Sequence, residues 1–245
     1  MGMLFAAALL AGFVDSIAGG GGIITIPALL AAGLPPHLAL GTNKLQACFG
    51  SLTAALNYRR GKLVRFRTLA PGIAFTAVGA LAGTLAVSVL PTDLLKRIIP
   101  VLLVIVFVYL LCNPRLGAEA RPHRMSPGLF HLLFGVVIGF YDGFFGPGTG
   151  SFWTFALVLW LGLDLTRATG QAKVLNFTSN IVALAAFLAG GHVMLTAGVI
   201  MGAGQVLGAL LGSHLVLRRG TRFVRVFFLC VVAATIVRLL WVTYG

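Results

Sequence analysis

The sequence predicts an all-helical protein that crosses a membrane several times and consists of two similar halves. Of its 245 residues, 59% are hydrophobic and only 9% are charged, and the mean hydropathy is +1.02. Segment 68–90 contains no charged residue, and it is long enough to cross about 30 Å of hydrocarbon as a helix. Most of the chain therefore belongs in a lipid bilayer.

A repeated motif indicates the two halves. Gly-Phe-Val-Asp-Ser-Ile-Ala-Gly-Gly-Gly-Gly at 12–22 returns as Gly-Phe-Tyr-Asp-Gly-Phe-Phe-Gly-Pro-Gly-Thr-Gly at 139–150. Gly41-Thr-Asn-Lys44 likewise matches Gly170-Gln-Ala-Lys173. Ionisable residues and glycines that recur at matched places in hydrophobic sequence are typical of secondary transporters.

Each half contains five hydrophobic segments, all predicted to be helical. In the first half, residues 1–112, they are 3–18, 23–34, 40–58, 68–90 and 94–112. In the second half, residues 127–245, they are 127–146, 151–163, 169–190, 193–217 and 223–242. A polar, basic linker at 113–126 joins the halves.

The charge distribution predicts how the halves are oriented. The net charge is +13, but the basic residues lie in short connections next to hydrophobic segments, which is typical of cytoplasmic loops and not of a nucleic-acid site. The loop after the third segment is basic at 59–67 but uncharged at 190–192, whereas the next loop is basic at 218–222. We therefore expect inverted halves, a cytoplasmic linker, both termini outside, and a site near the midplane.

The second segment of each half is too short for an ordinary span. As a helix, 23–34 extends about 18 Å, so it is either a half-helix or one arm of a re-entrant hairpin. Both alternatives place the glycine clusters 19–22 and 146–150 inside the membrane. Irregular backbone is tolerated there only where protein or a water-filled cavity covers it.

The glycine clusters are candidate anion-binding sites. The first N–H groups of a helix are unpaired and its dipole is positive there, so helix starts at Ile23 and Ser151 would attract an anion. The candidate contacts are Gly20, Gly21, Gly22, Gly148, Thr149 and Gly150. The alternative is that these glycines only permit a turn or close packing, as we expect for Gly79 with Gly83 and for Gly204, Gly208 and Gly212.

Two lysines are candidate substrate ligands. Lys44 and Lys173 occupy matched positions inside apolar segments, where an unpaired ammonium is costly. Both have amide neighbours, Asn43 and Gln46 for the first, and Asn176 and Asn180 for the second. The alternative is that the lysines snorkel to the membrane surface.

Asp15 and Asp142 also match across the repeat. Each is a candidate cap for the following glycine loop, a counter-ion of a lysine, or a proton-coupling group. The cap is favoured, because an Asp before a turn readily accepts backbone N–H bonds.

Other chemistries have little support in the sequence. The three cysteines and the histidines His37, His192 and His214 stand alone, without metal-site spacing. No Ser-His-Asp or Cys-His group suggests catalysis, so we expect no enzyme, no metal and no cofactor.

The motifs resemble those of the TauE/SafE sulfite exporter family, also called the toluene-sulfonate uptake permease superfamily, and in particular its YfcA-like branch. The similar stretches are 15–22, 32–46 and 139–147. This resemblance implies a bacterial inner-membrane permease for sulfite, sulfonates or similar anions, usually an exporter. Its motif residues here are Asp15, Gly19 to Gly22, Asn43, Lys44, Gln46, Asp142, Gly146, Gly148, Gly150, Lys173 and Asn176.

The sequence leaves several alternatives open. The second copy lacks the Asn of Gly41-Thr-Asn-Lys44, and Pro147 replaces a glycine, so the halves need not contribute equally. The alternative function is a membrane-embedded anion sensor or accessory subunit without transport. The particular anion, the direction, the coupling ion and the oligomeric state, including a homodimer, also stay open.

Overall fold

The protein is helical throughout the residues that its computed structural model describes. The described backbone covers 1–64, 66–99, 101–102 and 122–244, and the described side chains in these ranges end at residue 220, apart from Phe223. The helices are α1 (Gly2–Ala18), α2 (Gly22–Ala31), α3 (Pro36–Arg60), α4 (Ala70–Ser88), α5 (Pro127–Phe144), α6 (Thr149–Leu161), α7 (Leu165–Ala189) and α8 (Leu195–Tyr244). Residues 66–69 form a 3₁₀ turn, and 92–99 are also helical.

Parts of the predicted organisation lie outside the described residues. Segment 94–112 is described only to residue 102, with residue 100 missing, and the linker 113–126 only from residue 122. In segment 223–242 the backbone is helical, but apart from Phe223 the side chains are outside the described set.

Four helical stretches of the described chain are long and apolar enough to span a membrane. They are Phe66–Ser88, Pro127–Phe144, Leu165–Ala189 and Leu195–Gly220. Their outward residues include large apolar side chains such as Val78, Val137 and Leu211, which are 62%, 65% and 61% exposed. Such faces suit contact with lipid, so the predicted multi-pass membrane protein is confirmed.

The helices that follow the two glycine clusters are short, as predicted. α2 has 10 residues and α6 has 13, which correspond to about 15 and 20 Å. They begin at Gly22 and Thr149, slightly before the predicted Ile23 and Ser151. Helix α1 ends where Gly19 takes a φ of 79°, a conformation that strongly favours glycine.

Other predicted boundaries differ from the observed ones. α3 begins at Pro36 instead of residue 40, because a proline fits the first turn of a helix. α7 begins at Leu165 instead of 169, because the Asp164 side chain accepts a hydrogen bond from Arg167 N at 3.0 Å and caps the helix. The break predicted at 218–222 is present but short, since two helices meet at a kink at Gly220 (φ 65°, ψ −162°) without a longer loop between them.

Packing joins each half to the other. α1 lies mainly against α8, and α4 lies mainly against α5. A Cβ atom at Gly208 would lie 2.1 Å from Leu9 O, and one at Gly83 would lie 2.0 Å from Phe140 O. The backbones of these helices therefore touch, which confirms that these glycines serve close packing.

Candidate functional site

The two glycine loops lie directly against each other. A Cβ atom at Gly19 would lie 2.3 Å from Ser151 N, and one at Gly22 would lie 3.1 Å from Pro147 Cα. Backbone approaches backbone because Gly19 and Gly22 carry no side chain, and the Ser151 hydroxyl donates to Ala18 O across the contact at 2.7 Å. The helix starts of α2 and α6 are brought to one place as a result.

A small, partly open polar cavity lies at this contact. Both halves line it. The lining residues are Asp15, Gly20, Gly21, Gly22, Asn43, Gln46, Ala47, Asp142, Gly146, Gly148, Thr149, Gly150, Asn176, Asn180 and Gln205. The structure thus brings together every candidate contact from the sequence except the two lysines.

Lys44 and Lys173 lie behind the cavity wall, and each pairs with the aspartate of the opposite half. Lys44 Nζ is 2.6 Å from Asp142 Oδ1, and Lys173 Nζ is 2.8 Å from Asp15 Oδ2. The lysines are only 1% and 0% exposed. This burial rules out snorkelling, because a snorkelling ammonium would reach water.

Both aspartates act as counter-ions, and Asp15 also caps its glycine loop. Asp15 Oδ1 accepts a hydrogen bond from Gly21 N at 3.1 Å while its other oxygen pairs with Lys173. Asp142 Oδ2 accepts from the Ser179 hydroxyl, and Lys44 Nζ also donates to the Asp142 carbonyl. Asp15 thus combines the cap and the counter-ion role, whereas the Asp142 carboxylate accepts from a lysine and a hydroxyl.

The two ion pairs differ in their access to the cavity. The Asp15 side chain is 16% exposed, whereas that of Asp142 is 2% exposed. Asp142 is also held by the Ser179 hydroxyl in addition to its lysine. The Lys44–Asp142 pair is therefore the more enclosed one.

Backbone donors line the cavity at both helix starts. Within the described residues, the N–H groups of Gly20, Gly22, Gly148 and Gly150 have no hydrogen-bond acceptor. Their neighbours are occupied, since Gly21 N donates to Asp15 and Thr149 N donates to Gly146 O. Unpaired N–H groups at two helix starts form an arrangement that suits an anion.

Carboxamide side chains complete the polar wall. Asn43 Oδ1 accepts from the Thr25 hydroxyl at 2.6 Å and from Gln46 Nε2 at 2.8 Å. Across the cavity, Asn180 Nδ2 lies 3.4 Å from Asn176 Oδ1. In this arrangement the amide nitrogens of Asn43 and Asn176 remain available to a ligand.

Several residues of the site were not among the predicted contacts. Asn180 shares a helix face with Lys173, and Gln205 is a lone polar residue in an apolar segment, so both carried a sequence signal. Thr25 and Ser179 carried none, because a hydroxyl in a membrane helix commonly bonds its own backbone. Their roles depend on which side chains the fold places opposite them.

Comparisons with known proteins agree with the motifs. A family model described as "Sulfite exporter TauE/SafE" matches residues 4–239. A protein of Escherichia coli strain K12 named "Probable membrane transporter protein YfcA" is 47% identical over 245 residues, covering 100% of this chain and 91% of that protein.

Two further relatives are similar to this chain over most of its length. A "Probable membrane transporter protein" of Haemophilus influenzae is 45% identical over 225 residues, covering 92% of this chain and 88% of its own. A "Probable membrane transporter protein ORF9" of a Sinorhizobium species is 44% identical over 240 residues, covering 98% and 92%. No solved structure matches the chain. The chain therefore belongs to the sulfite exporter TauE/SafE family of membrane transporters.

Proposed function

We propose that this protein is a secondary transporter that exports sulfite, a sulfonate or a related small oxyanion across the bacterial inner membrane. The observation that carries the proposal is the cavity between the two glycine loops, which both halves line. A carrier needs one site that two moving parts share. The buried ion pairs and the helix starts supply that site from both halves.

The cavity suits a single small anion electrostatically. Lys44 with Asp142, and Lys173 with Asp15, are two ion pairs whose formal charges sum to zero. The helix starts of α2 and α6 then dominate, and each contributes about half a positive charge. An oxyanion that loses water on entry would recover hydrogen bonds from the free N–H groups and from the carboxamides.

In this proposal the halves, residues 1–112 and 127–245, are inverted and joined by a cytoplasmic linker at 113–126. The exchanged packing of α1 on α8 and of α4 on α5 supports this arrangement, since a two-fold axis relates such pairs. Rocking of one half against the other would open the cavity to each side in turn. The glycine loops would break the helices near the membrane midplane, as half-helices or as re-entrant hairpins.

Reconstituted protein tests the function. We expect proteoliposomes loaded with sulfite to release it faster than liposomes without protein. They should also exchange internal sulfite for labelled external sulfite. Asn43→Leu and Asn176→Leu should each slow release, because each removes a donor from the cavity. Ser51→Ala is the matched control, since Ser51 is buried on α3 but bonds only its own helix.

The alternative function is an anion sensor or accessory subunit. Such a protein would bind sulfite in detergent with the same dependence on Asn43, yet release none from proteoliposomes. Binding without any flux under gradients of either direction would favour this alternative. Absence of both binding and flux for sulfite and for small sulfonates would contradict the anion site itself.

A further inference from the structure

One wall of the cavity contains a hydrogen-bond acceptor that the protein leaves unused. Gln46 is 1% exposed and lines the cavity, and its Oε1 has no hydrogen-bond partner within the described part of the chain. A buried acceptor without a partner destabilises the folded protein, because it has lost its hydrogen bonds to water. Such a group is usually paired in the functional state, by water or by a ligand.

The two carboxylates nearby are already occupied. Asp15 accepts hydrogen bonds from Gly21 N and Lys173 Nζ. Asp142 accepts hydrogen bonds from Lys44 Nζ and the Ser179 hydroxyl. The free N–H groups and the Asn43 amide nitrogen are donors, which serve the oxygens of an anion. Gln46 Oε1 is therefore of opposite polarity to the donors around it.

The hydrogen bond between Asn43 and Gln46 determines which free amide group of the pair is a donor and which is an acceptor. The two amides meet at 2.8 Å, so one supplies an N–H and the other an oxygen at this contact. Rotating both amides by half a turn keeps the hydrogen bond and exchanges their free ends. The Thr25 hydroxyl fits both orientations, because it lies 3.1 Å from Gly21 O as well as 2.6 Å from the Asn43 amide.

The pair thus presents one donor and one acceptor in either orientation. The Asn180–Asn176 pair on the other wall has the same form, with a separation of 3.4 Å. A bare oxyanion has only acceptors and would leave one free oxygen of each amide pair without a partner. A ligand that also carries an O–H or N–H group would satisfy the Asn43–Gln46 pair completely.

We infer that the preferred substrate is a small sulfonate or other oxyanion that also bears a hydroxyl or amino donor, and that Gln46 is the residue that selects for this donor. The inference rests on the proposed anion site and adds a substrate class to it. The anionic group lies against the helix starts of α2 and α6, and the donor reaches the Asn43–Gln46 pair.

The test compares two sulfonates that differ only where the donor would be. Hydroxyethanesulfonate and propanesulfonate have the same charge and similar size, with a hydroxyl exchanged for a methyl group. We expect the wild-type protein to bind the hydroxyl compound about tenfold more tightly in calorimetric titrations, the equivalent of about 1.4 kcal/mol. Gln46→Met removes the acceptor while Thr25 still holds Asn43, so the ratio of the two dissociation constants should fall close to one.

Two further variants complete the design. Ser51→Ala, on the same helix and outside the cavity, should keep the tenfold ratio. If Gln46→Met does not yield folded protein, Gln46→Leu replaces it, because leucine already occupies the matched position 175 of the second half. Size-exclusion profiles and thermal unfolding verify that each variant is folded.

The outcomes separate this inference from the proposed function. Equal binding of both sulfonates by the wild-type protein overturns the inference and leaves the anion site intact. The same conclusion follows if sulfite binds and neither sulfonate does. A hydroxyl preference that persists in the folded Gln46 variant overturns the assignment to Gln46. Failure of sulfite and of both sulfonates to bind overturns the proposed function as well.

Discussion

Lys173 Nζ lies 2.8 Å from Asp15 Oδ2, so a buried lysine of the second half is neutralised by a carboxylate of the first half. Lys44 and Asp142 repeat the arrangement with the halves exchanged. The buried charges of each half are thus satisfied by the other half. This relationship ties the integrity of the cavity wall to the contact between the halves.

Removal of one member of a buried pair should destabilise the protein strongly. We expect Lys44→Gln to lower the free energy of unfolding by about 3–5 kcal/mol, because it leaves the Asp142 carboxylate buried and unpaired. The double variant Lys44→Gln/Asp142→Asn should lose less than the sum of its single variants. Unfolding in mixed detergent measures the free energy of unfolding of the four proteins in this double-mutant cycle, which are the wild type, the two single variants and the double variant.

The second pair provides the comparison. The Lys173–Asp15 cycle should give a smaller coupling energy, since the Asp15 side chain is 16% exposed and can be partly hydrated. Additive single effects in both cycles would contradict the pairing, and a larger coupling for Lys173 would contradict the ranking by enclosure.

Transport should depend on the lysines through their partners. Lys44→Gln or Lys173→Gln leaves an uncompensated carboxylate on the cavity wall, which repels an anion, so sulfite release from proteoliposomes should be lost in both. Any residual release should be smaller for Lys44→Gln, because Gly41-Thr-Asn-Lys44 is the fuller of the two motif copies. The neutral double variant Lys173→Gln/Asp15→Asn should regain part of the activity, because it removes the repelling charge.

Equal amounts of folded, reconstituted protein are needed for this comparison. Wild-type release from both single variants would show that the lysine charges are irrelevant to the site. Complete inactivity of the neutral double variant, with correct folding, would indicate that an ammonium itself contacts the anion.

The contact of the glycine loops can be tested at Gly19. Gly19→Ala places a methyl group 2.3 Å from Ser151 N in a left-handed conformation, so both overlap and strain oppose it. Gly33→Ala is the matched control, since its φ is also positive (88°) but no atom lies within 4 Å of the added carbon.

Strain alone costs about 1 kcal/mol, so we expect Gly33→Ala to remain folded and active while Gly19→Ala loses anion binding. Thermal unfolding and sulfite titration measure both effects. Similar behaviour of the two variants would mean that the loops do not need to touch.

The predicted topology is testable by labelling. Single cysteines in the Gly190–His192 loop and in the basic loop at 59–67 should react with impermeant reagents from opposite sides of the membrane, because the charge bias of the halves is inverted. A background without the three native cysteines removes interfering thiols. Labelling of both positions from the same side would contradict the inverted arrangement.

Much of the fold was predictable because its signals are local. Composition indicated the membrane, the repeated motif indicated two halves, and the family motifs indicated the transporter class. The short helices after the glycine clusters followed from length alone. The break predicted at 218–222 is confined to Gly220, because one residue outside the helical conformation is enough to change the direction of the chain.

The motifs alone identified most of the residues that line the cavity, since glycine clusters, lysines and aspartates are conspicuous in apolar segments. How these residues are connected follows from the packing of the helices. Lys44 pairs with Asp142, 98 residues away, and Lys173 pairs with Asp15, 158 residues away. Helical periodicity reports which side chains share a face, but it does not report what lies opposite that face. For this reason the sequence placed the lysines in the cavity, whereas the packing of the two halves buries them behind its wall and leaves the helix starts and carboxamides to line it.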